Sequence, residues 1–464
     1  MFRWLVAPTV QISAYLRPPW LAAGPVAGLP LPAWLGLAAA FLLGLFLFSG
    51  LIPDGHVPLL VLAALSAFLL LRYPEIALAL LIKVGRYKGD PRLSSALPFD
   101  PTLAICFLLA GFILFRLIRR TPHLSFPSAF LAYLPFAALM VFSLSYTPDF
   151  AWGLEKVARF IFIGGLSIVA PFFIFERPER LSRFLIAYVV SALLMSLNTL
   201  PSFTGGNRLV APSGLNTQLG AEAAEAILIM IFFILPGLSF ARRMLCYPLI
   251  LLFLLTLIAA GARSSTIAVA ICLPLVLLFH KDQRLDFLFL VALAIPLLAI
   301  APIPQSSITY LATLLEPDHQ AVLGFRYDLM SVGWKLVAEN PLLGVGIGGY
   351  PVRSPNAALF NYPHNVFLEV GAEMGVLASA ILIVLVGVSF TESLRQVSNR
   401  RFPLHKLSCV VFVLLVVDLV SMLNSGDINS HRTMWLYMSI PFVLRGLALR
   451  EVPAASKDLA PASA

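Results

Sequence analysis

Residues 366–390 read VFLEVGAEMGVLASAILIVLVGVSF and decide the class of protein. Only Glu369 and Glu373 carry charge in this stretch, and it is long enough to cross the hydrocarbon core of a bilayer as a helix. The preceding residues, NYPHN at 361–365, are polar and place His364 at one mouth of the predicted span.

The composition extends this character to the whole chain. Of 464 residues, 59% are hydrophobic and 12% are charged, against about 25% charged in soluble domains. Together with a mean hydropathy of +0.91, this excludes a water-soluble protein. The formal net charge of +9 indicates basic cytoplasmic loops and anion-facing sites, and no nucleic-acid partner is expected.

Apolar runs of membrane-spanning length recur along the chain and predict an all-α polytopic membrane protein with about 12 to 14 transmembrane helices. The segment 76–84 is short and predicts a broken, re-entrant or bent piece. The N-terminal residues hold three prolines before a long apolar run develops, which argues against a cleaved signal peptide. The predicted spans begin near Ala33, Val57, Pro101, Phe126, Val157, Leu181, Leu219, Met244, Ser264, Leu285, Asn365, Leu404 and Thr433.

Alternate connections between these spans are rich in arginine and lysine, which predicts that they are cytoplasmic. The opposite connections, including 146–156, 201–218, 261–264 and 304–364, then lie outside. We treat 1–464 as a single transmembrane domain, with 304–364 as a long periplasmic loop containing one or two short helices. The tail 451–464 is expected to be cytoplasmic and disordered. The basic clusters lie at 116–120, 177–183, 242–243, 281–284 and 395–406.

Three arginines fall on the predicted outer face, against the usual charge bias: Arg208 in GGNRLVAPSGLN, Arg263 in GARSS and Arg326 in GFRYDLM. Guanidinium groups grip phosphate oxygens through paired hydrogen bonds, so the cluster suits a diphosphate. Contact with lipid headgroups or a loop salt bridge is the alternative for any one of them. Arg263 is the hardest to explain in that way, because it interrupts a long uncharged helical hairpin.

His364 suits a general base, since an imidazole held neutral near pH 7 takes a proton from an attacking sugar hydroxyl. The alternative is a histidine at a helix start that faces water or headgroups. Glu369 and Glu373 lie four residues apart on one face of an apolar segment, so we expect them to pair with cations in the bundle. Glu222 and Glu225 raise the same expectation.

The glycine run at 344–349 formally satisfies GxGxxG, but a dinucleotide site needs a preceding strand, and here a helix-like segment precedes. A turn allowing close backbone approach is the better reading. The sequence has no GxSxG, HExxH or Walker motif and no close pair of acidic residues in the outer loop. No cofactor and no metal is therefore predicted.

The segment FRYDLMSVGWKLVAENPLLGVGIGGY, followed by YPHNVFLEVGAEMGVLA, resembles the signature of the O-antigen ligase and polymerase superfamily. The resemblance implies a GT-C-like glycosyltransferase of the bacterial inner membrane whose active site faces the periplasm. It implies a glycan donor on undecaprenyl diphosphate and lipid A-core as acceptor. It also implies that His364 is the base of an inverting, metal-independent transfer, with Arg263, Arg326 and Arg208 at the donor diphosphate, although GLNTQ after Arg208 departs from the usual pattern.

Two alternatives stay open. A polymerase would join undecaprenyl-linked repeats through the same chemistry. A transporter or flippase would bind the anionic headgroup without reaction, and it would need ionisable residues along a path at mid-bilayer. Only Glu222, Glu225 and Asp418 stand out as such residues, which favours an enzyme.

Overall fold

The computed structural model describes residues 66, 69–87, 100–120, 124–205, 207–279, 284–301, 303–312, 320–354 and 361–457. These parts of the chain are helical and contain no strand. In chain order the helices are α1 (Pro74–Lys83), α2 (Pro101–Ile118), α3 (Tyr133–Phe142), α4 (Phe150–Ile174), α5 (Pro178–Ser202), α6 (Asn216–Gly237), α7 (Phe240–Ala260), α8 (Arg263–Cys272), α9 (Pro274–Phe279), α10 (Arg284–Ile300), α11 (Gln305–Ala312), α12 (Gln320–Glu339), α13 (Tyr350–Arg353), α14 (Val366–Ser398), α15 (His405–Asn424) and α16 (Arg432–Lys457).

Seven helices in the described ranges are long and apolar enough to cross a membrane, namely α2, α4, α5, α6, α7, α14 and α15. The chain is therefore a polytopic membrane protein, as its composition predicts. The total of 12 to 14 spans stays a prediction. The spans expected near Ala33 and Val57 and the end of the tail, 458–464, lie outside the described residues.

Most predicted spans begin within a few residues of an observed helix, but three are shorter than expected; the one near Leu285 has an apolar helix of only Leu288–Ile300. The span near Phe126 is an apolar helix of 130–145, and the one near Ser264 is the ten-residue α8 followed by short α9. The segment at 76–84 is short, as predicted: α1 has ten residues, ends at Lys83 and continues as a single 3₁₀ turn.

The prediction of one or two short helices in 304–364 is wrong. The described residues of this segment, 304–312, 320–354 and 361–364, hold three helices, and α12 alone has 20 residues. The apolar positions Val332, Leu336 and Val337 pack with Tyr350 and Ala372 in one small cluster. This packing stabilises a helix that is longer than the apolar pattern of the sequence predicts, because burial against other helices supplies most of the stability of a helix in a protein.

Helix α14 is interrupted at Gly375, whose φ of 82° and ψ of 173° lie outside the helical region. The interruption exposes carbonyls that the glycine run satisfies: the amide of Val345 donates to Ala372 O and that of Gly346 to Glu373 O, both at 2.9 Å. The run is therefore a close-approach turn, as predicted, and no strand surrounds it. The interruption separates a half-helix, residues 366–374, from the rest of α14.

The core lies among α4, α6, α15 and α16, and Trp435 of α16 meets Phe160 of α4 edge-to-face with ring centroids 5.0 Å apart. Peripheral helices instead expose large apolar side chains. Phe107 and Ile118 of α2 are examples, and they suit contact with lipid hydrocarbon. Because the centre of the bundle is packed and its rim is apolar, the polar site is formed by the ends of the helices and the loops that connect them.

Candidate active site

His364 directly precedes the 366–374 half-helix and is held by its neighbours. Asn365 caps the helix, since its side-chain oxygen accepts from Leu368 N at 3.0 Å, and its Nδ2 donates to Leu423 O at 3.3 Å. The backbone of His364 has a φ of 58°, in the left-handed region. Such a conformation costs of the order of 1–3 kcal/mol in a residue other than glycine and persists only where the surroundings fix it.

The imidazole of His364 is nearly buried, with 8% of its surface exposed. The ring of Tyr362 meets it edge-on, with centroids 4.8 Å apart. Burial lowers the pKa of His364 from 6.5 to about 4, and the positive charge of Arg326 adds to the shift. At neutral pH the ring is therefore uncharged and able to accept a proton.

The side chain of Arg326, in α12, lies close to His364. Its Nη1 donates to Asn424 O, at the end of α15, at 3.2 Å. The adjacent Leu423 carbonyl accepts from Asn365, so Arg326 and the loop of His364 are held by consecutive carbonyls of α15. The structure thus brings together two of the four predicted site residues.

The other two lie at the turn between α7 and α8. Gly261 adopts a left-handed φ of 63°, and a Cβ there would lie 3.1 Å from Arg208 Cδ, so the arginine side chain packs on the turn. The amide of Leu209 donates to Ala259 O at 3.0 Å and fixes the loop of Arg208 to the end of α7. Arg263 begins α8 and is largely buried.

None of the four predicted site residues lines the polar cavity of about 280 Å³ in this part of the structure, but sequence neighbours of His364 and Arg263 do. Tyr362, two residues before His364, forms part of its wall, and so do Ser264 and Ser265, directly after Arg263. The 425–431 connection between α15 and α16, here called the cavity loop, supplies another wall. Hydroxyl and amide side chains that suit a carbohydrate line it: Thr217, Gln218, Ser264, Ser265, Ser421, Ser425, Asn429, Ser430 and Thr433.

Three further arginines, Arg86, Arg159 and Arg432, line the cavity. Arg86 and Arg159 lie next to weakly defined spans, so the sequence left their side of the membrane open. Arg432 was missed: it opens the last apolar helix and gives no signal beyond its charge. In the structure its Nη1 donates to Leu81 O at 3.2 Å.

Glu222 and Glu225, the second of which lines the cavity, pair with cations, as predicted. Lys83 Nζ lies 2.9 Å from Glu222 and 2.5 Å from Glu225, and Arg86 lies 2.6 Å from Glu222. Lys83 also stands 3.6 Å from the ring centre of Tyr188. Two cations thus face two carboxylates here, so Arg86 brings little uncompensated charge to the cavity.

The expected pairing of Glu369 and Glu373 is confirmed as well, and their cation is Lys156, 2.6 Å from each carboxylate. Within the described ranges, no group of three histidine, cysteine or acidic side chains is placed to hold a metal ion. The cavity offers hydroxyl and guanidinium groups together with the carboxylates of Glu225, Asp418 and Asp427, and the neutral imidazole of His364 contacts Tyr362 in its wall.

The chain is similar to proteins named or described as O-antigen ligase. A family model described as O-antigen ligase matches residues 248–383, which include Arg263, Arg326 and His364. A protein of Pseudomonas aeruginosa named O-antigen ligase is 26% identical over 374 residues, covering 78% of this chain and 86% of the relative. An uncharacterized protein of Haemophilus influenzae is 21% identical over 283 residues, covering 55% of this chain and 70% of the relative.

Proposed function

We propose, from the premise that the chain belongs to the O-antigen ligase superfamily, that it is the ligase itself. In this proposal it transfers a glycan from undecaprenyl diphosphate to a sugar hydroxyl of lipid A-core. The reaction takes place at the periplasmic face of the bacterial inner membrane. The residues 304–364 are the periplasmic segment and 451–464 the cytoplasmic tail.

One observation carries the proposal: a neutral, nearly buried histidine stands beside Arg326, and Tyr362, whose ring contacts that histidine, lines a cavity rich in hydroxyl groups. The polar wall suits the sugars of donor and acceptor. The arginines suit the diphosphate. A histidine that merely faced water would be exposed and would keep its ordinary pKa.

In the proposed step, His364 takes the proton of the acceptor hydroxyl as that oxygen attacks the anomeric carbon of the donor. The bond from the anomeric carbon to the diphosphate oxygen breaks, and the configuration inverts. A pKa of about 4 makes the free imidazole a weak base. The bound diphosphate brings negative charge and raises that pKa towards neutrality, so the base gains strength when the donor is present.

Arg326, Arg263 and Arg208 are proposed to stabilise the charge that develops on the departing diphosphate. Arg326 is held in place before the reaction by its hydrogen bond to Asn424 O, and Arg208 packs on the turn at Gly261. Such prior positioning is what makes electrostatic stabilisation effective. The proposed reaction is metal-independent, because the arginines supply the positive charge.

The experiment is a lipopolysaccharide gel from a strain that lacks the protein, run beside an analysis of its undecaprenyl-linked pool. A ligase predicts bare core with long polymer accumulating on undecaprenyl. Complementation with the wild-type gene should restore the ladder, and His364→Ala should not, at equal membrane levels. Arg395→Ala is the matched control, since Arg395 is exposed near the opposite end of α14.

Other outcomes of this gel contradict the proposal in distinct ways. Core carrying a single repeat would identify a polymerase. An unchanged ladder with an unchanged undecaprenyl-linked pool would reject both. Polymer missing from the periplasmic face, with its precursor retained inside, would identify a transporter.

A further inference from the structure

Lys156 lies at the centre of a buried ionic cluster that the proposed chemistry does not use. Its Nζ donates to Glu369 Oε1 and to Glu373 Oε2, both at 2.6 Å. All three side chains are buried, with 2% or less of their surface exposed. Charges buried in this way are costly unless they are fully paired, so removal of one partner has large effects.

The cluster joins segments far apart in the sequence. Glu369 Oε2 accepts from Ile428 N at 2.9 Å, and Asn429 Nδ2 donates to the Lys156 carbonyl at 3.1 Å. Both of these partners belong to the cavity loop. The cluster therefore connects α4 and the 366–374 half-helix to a wall of the cavity.

A second connection runs to the glycine run. Glu373 Oε1 accepts from Tyr350 N at 3.3 Å, just after the glycines that cover the interruption of α14. Because Gly375 interrupts the helix, the half-helix is not held in place by continuity with the remainder of α14. Contacts of its side chains and its ends must fix its position.

His364 depends on that position. It directly precedes the half-helix, and its left-handed φ of 58° requires surroundings that hold it. Glu369, in the first turn of the half-helix, carries the contact to Lys156 and the cavity loop. A shift of the half-helix would move His364 relative to the cavity that is proposed to hold the sugars.

We propose that Lys156 is a positioning residue for the transfer reaction: through Glu369 and Glu373 it fixes the half-helix that bears His364 against the cavity loop. The inference rests on the proposed function, since it takes His364 as the base. Lys156 is buried behind the half-helix, does not line the cavity and acts through the position of His364.

The test compares three purified variants in detergent with donor and acceptor supplied: Lys156→Met, Lys156→Arg and the charge-free triple variant Lys156→Met/Glu369→Gln/Glu373→Gln. Lys335→Met is the control, because Lys335 is exposed and paired only loosely with Glu339 at 3.9 Å. For each protein, kcat and the donor KM are measured per mole of folded enzyme across pH 4 to 8.

Lys156→Met is expected to lower kcat at least about tenfold, since a misplacement of about 1 Å can cost 100-fold. The donor KM should stay within about twofold. Lys156→Arg should recover most of the rate, because a guanidinium can donate to both carboxylates. The triple variant removes the buried charge imbalance, folds and should still have a low kcat.

The dependence of the rate on pH is a second measurement. A loss of folded protein alone would lower the rate at every pH and would leave the shape of the profile unchanged. A loosened half-helix exposes His364 to water, so its pKa in the free enzyme rises from about 4 towards 6.5 and the acid limb of the kcat/KM profile, which reports the free enzyme, moves up. Arg326 of α12 and Tyr362 face the ring and are unchanged in these variants.

Wild-type kcat and an unmoved acid limb in Lys156→Met would overturn the inference. If that variant does not fold, a wild-type kcat in the triple variant would overturn it equally. His364→Ala separates this result from the proposed function: full transfer by His364→Ala rejects His364 as the base. Loss of transfer there, with full activity in the Lys156 variants, rejects the positioning role alone.

Discussion

Replacing Gly375 by alanine tests whether the interruption of α14 builds the site. The backbone of Gly375, at φ 82° and ψ 173°, lies in a region that only glycine occupies readily. A Cβ there would stand 2.9 Å from Leu343 N and closer still to the carbonyl of Leu342. Both obstacles are backbone atoms, so no side chain can turn aside to make room.

The expected loss of stability is the sum of two contributions, one from the backbone conformation and one from the close contacts of the added Cβ. The backbone conformation costs of the order of 1–3 kcal/mol for a residue other than glycine, and overpacking a close contact costs about 1–3 kcal/mol more. Gly375→Ala should therefore lower the free energy of unfolding by about 2–6 kcal/mol. Relief of the clash would also pull the half-helix from the glycine run and disturb His364.

Gly387→Ala is the matched control, because Gly387 lies in the same helix and a Cβ there meets nothing within 4 Å. It should be neutral or stabilise by up to about 1 kcal/mol. The assay is equilibrium unfolding in mixed detergent micelles, followed by tryptophan fluorescence, with transfer activity measured on the folded fraction. Equal stability and equal activity of the two variants would refute the role given to the interruption.

Three further outcomes are expected. Between pH 6.5 and 4 the unfolded chain binds more protons at His364 than the folded chain, so stability should fall as the pH drops, by up to about 3 kcal/mol. His364→Phe should lack this part of the loss in acid unfolding curves; an unchanged curve would contradict the lowered pKa. Arg263→Ala should reduce kcat/KM for the donor about 100-fold and Arg395→Ala hardly at all, with similar effects arguing against the diphosphate site. Asn365→Ala removes the cap on Leu368 N and should cost about 1 kcal/mol in the same unfolding assay; no loss would show that water replaces the cap.

Much of the architecture can be predicted from the sequence, because the hydrocarbon core of the membrane restricts which structures can cross it. Apolar runs of a given length become helices, and the starts near Pro101, Leu181 and Leu404 agree with observed helices to within about three residues. The pairing of the intramembrane glutamates was predictable for a related reason, since uncompensated carboxylates are too costly there. The identity of their partners was not, because Lys156 is more than 200 residues away from Glu369.

The interruption of α14 and the membership of the cavity could not be read from the chain. A single glycine such as Gly375 is tolerated within a helix, and only the approach of residues 341–346 explains why this one breaks it. Arg86 and Arg432 both line the cavity. They come together there because α1, which ends just before Arg86, packs on helices that are distant in the sequence. The catalytic and binding roles given to His364 and the outer arginines stay predictions.

The most direct measurement is transfer in a purified system containing the protein, an undecaprenyl diphosphate-linked glycan and lipid A-core. The wild type should release undecaprenyl diphosphate and glycosylated core in equal amounts. His364→Ala should bind the donor with unchanged affinity and form neither product. Product formation by His364→Ala at the wild-type rate, or no product from the wild type, would contradict the account.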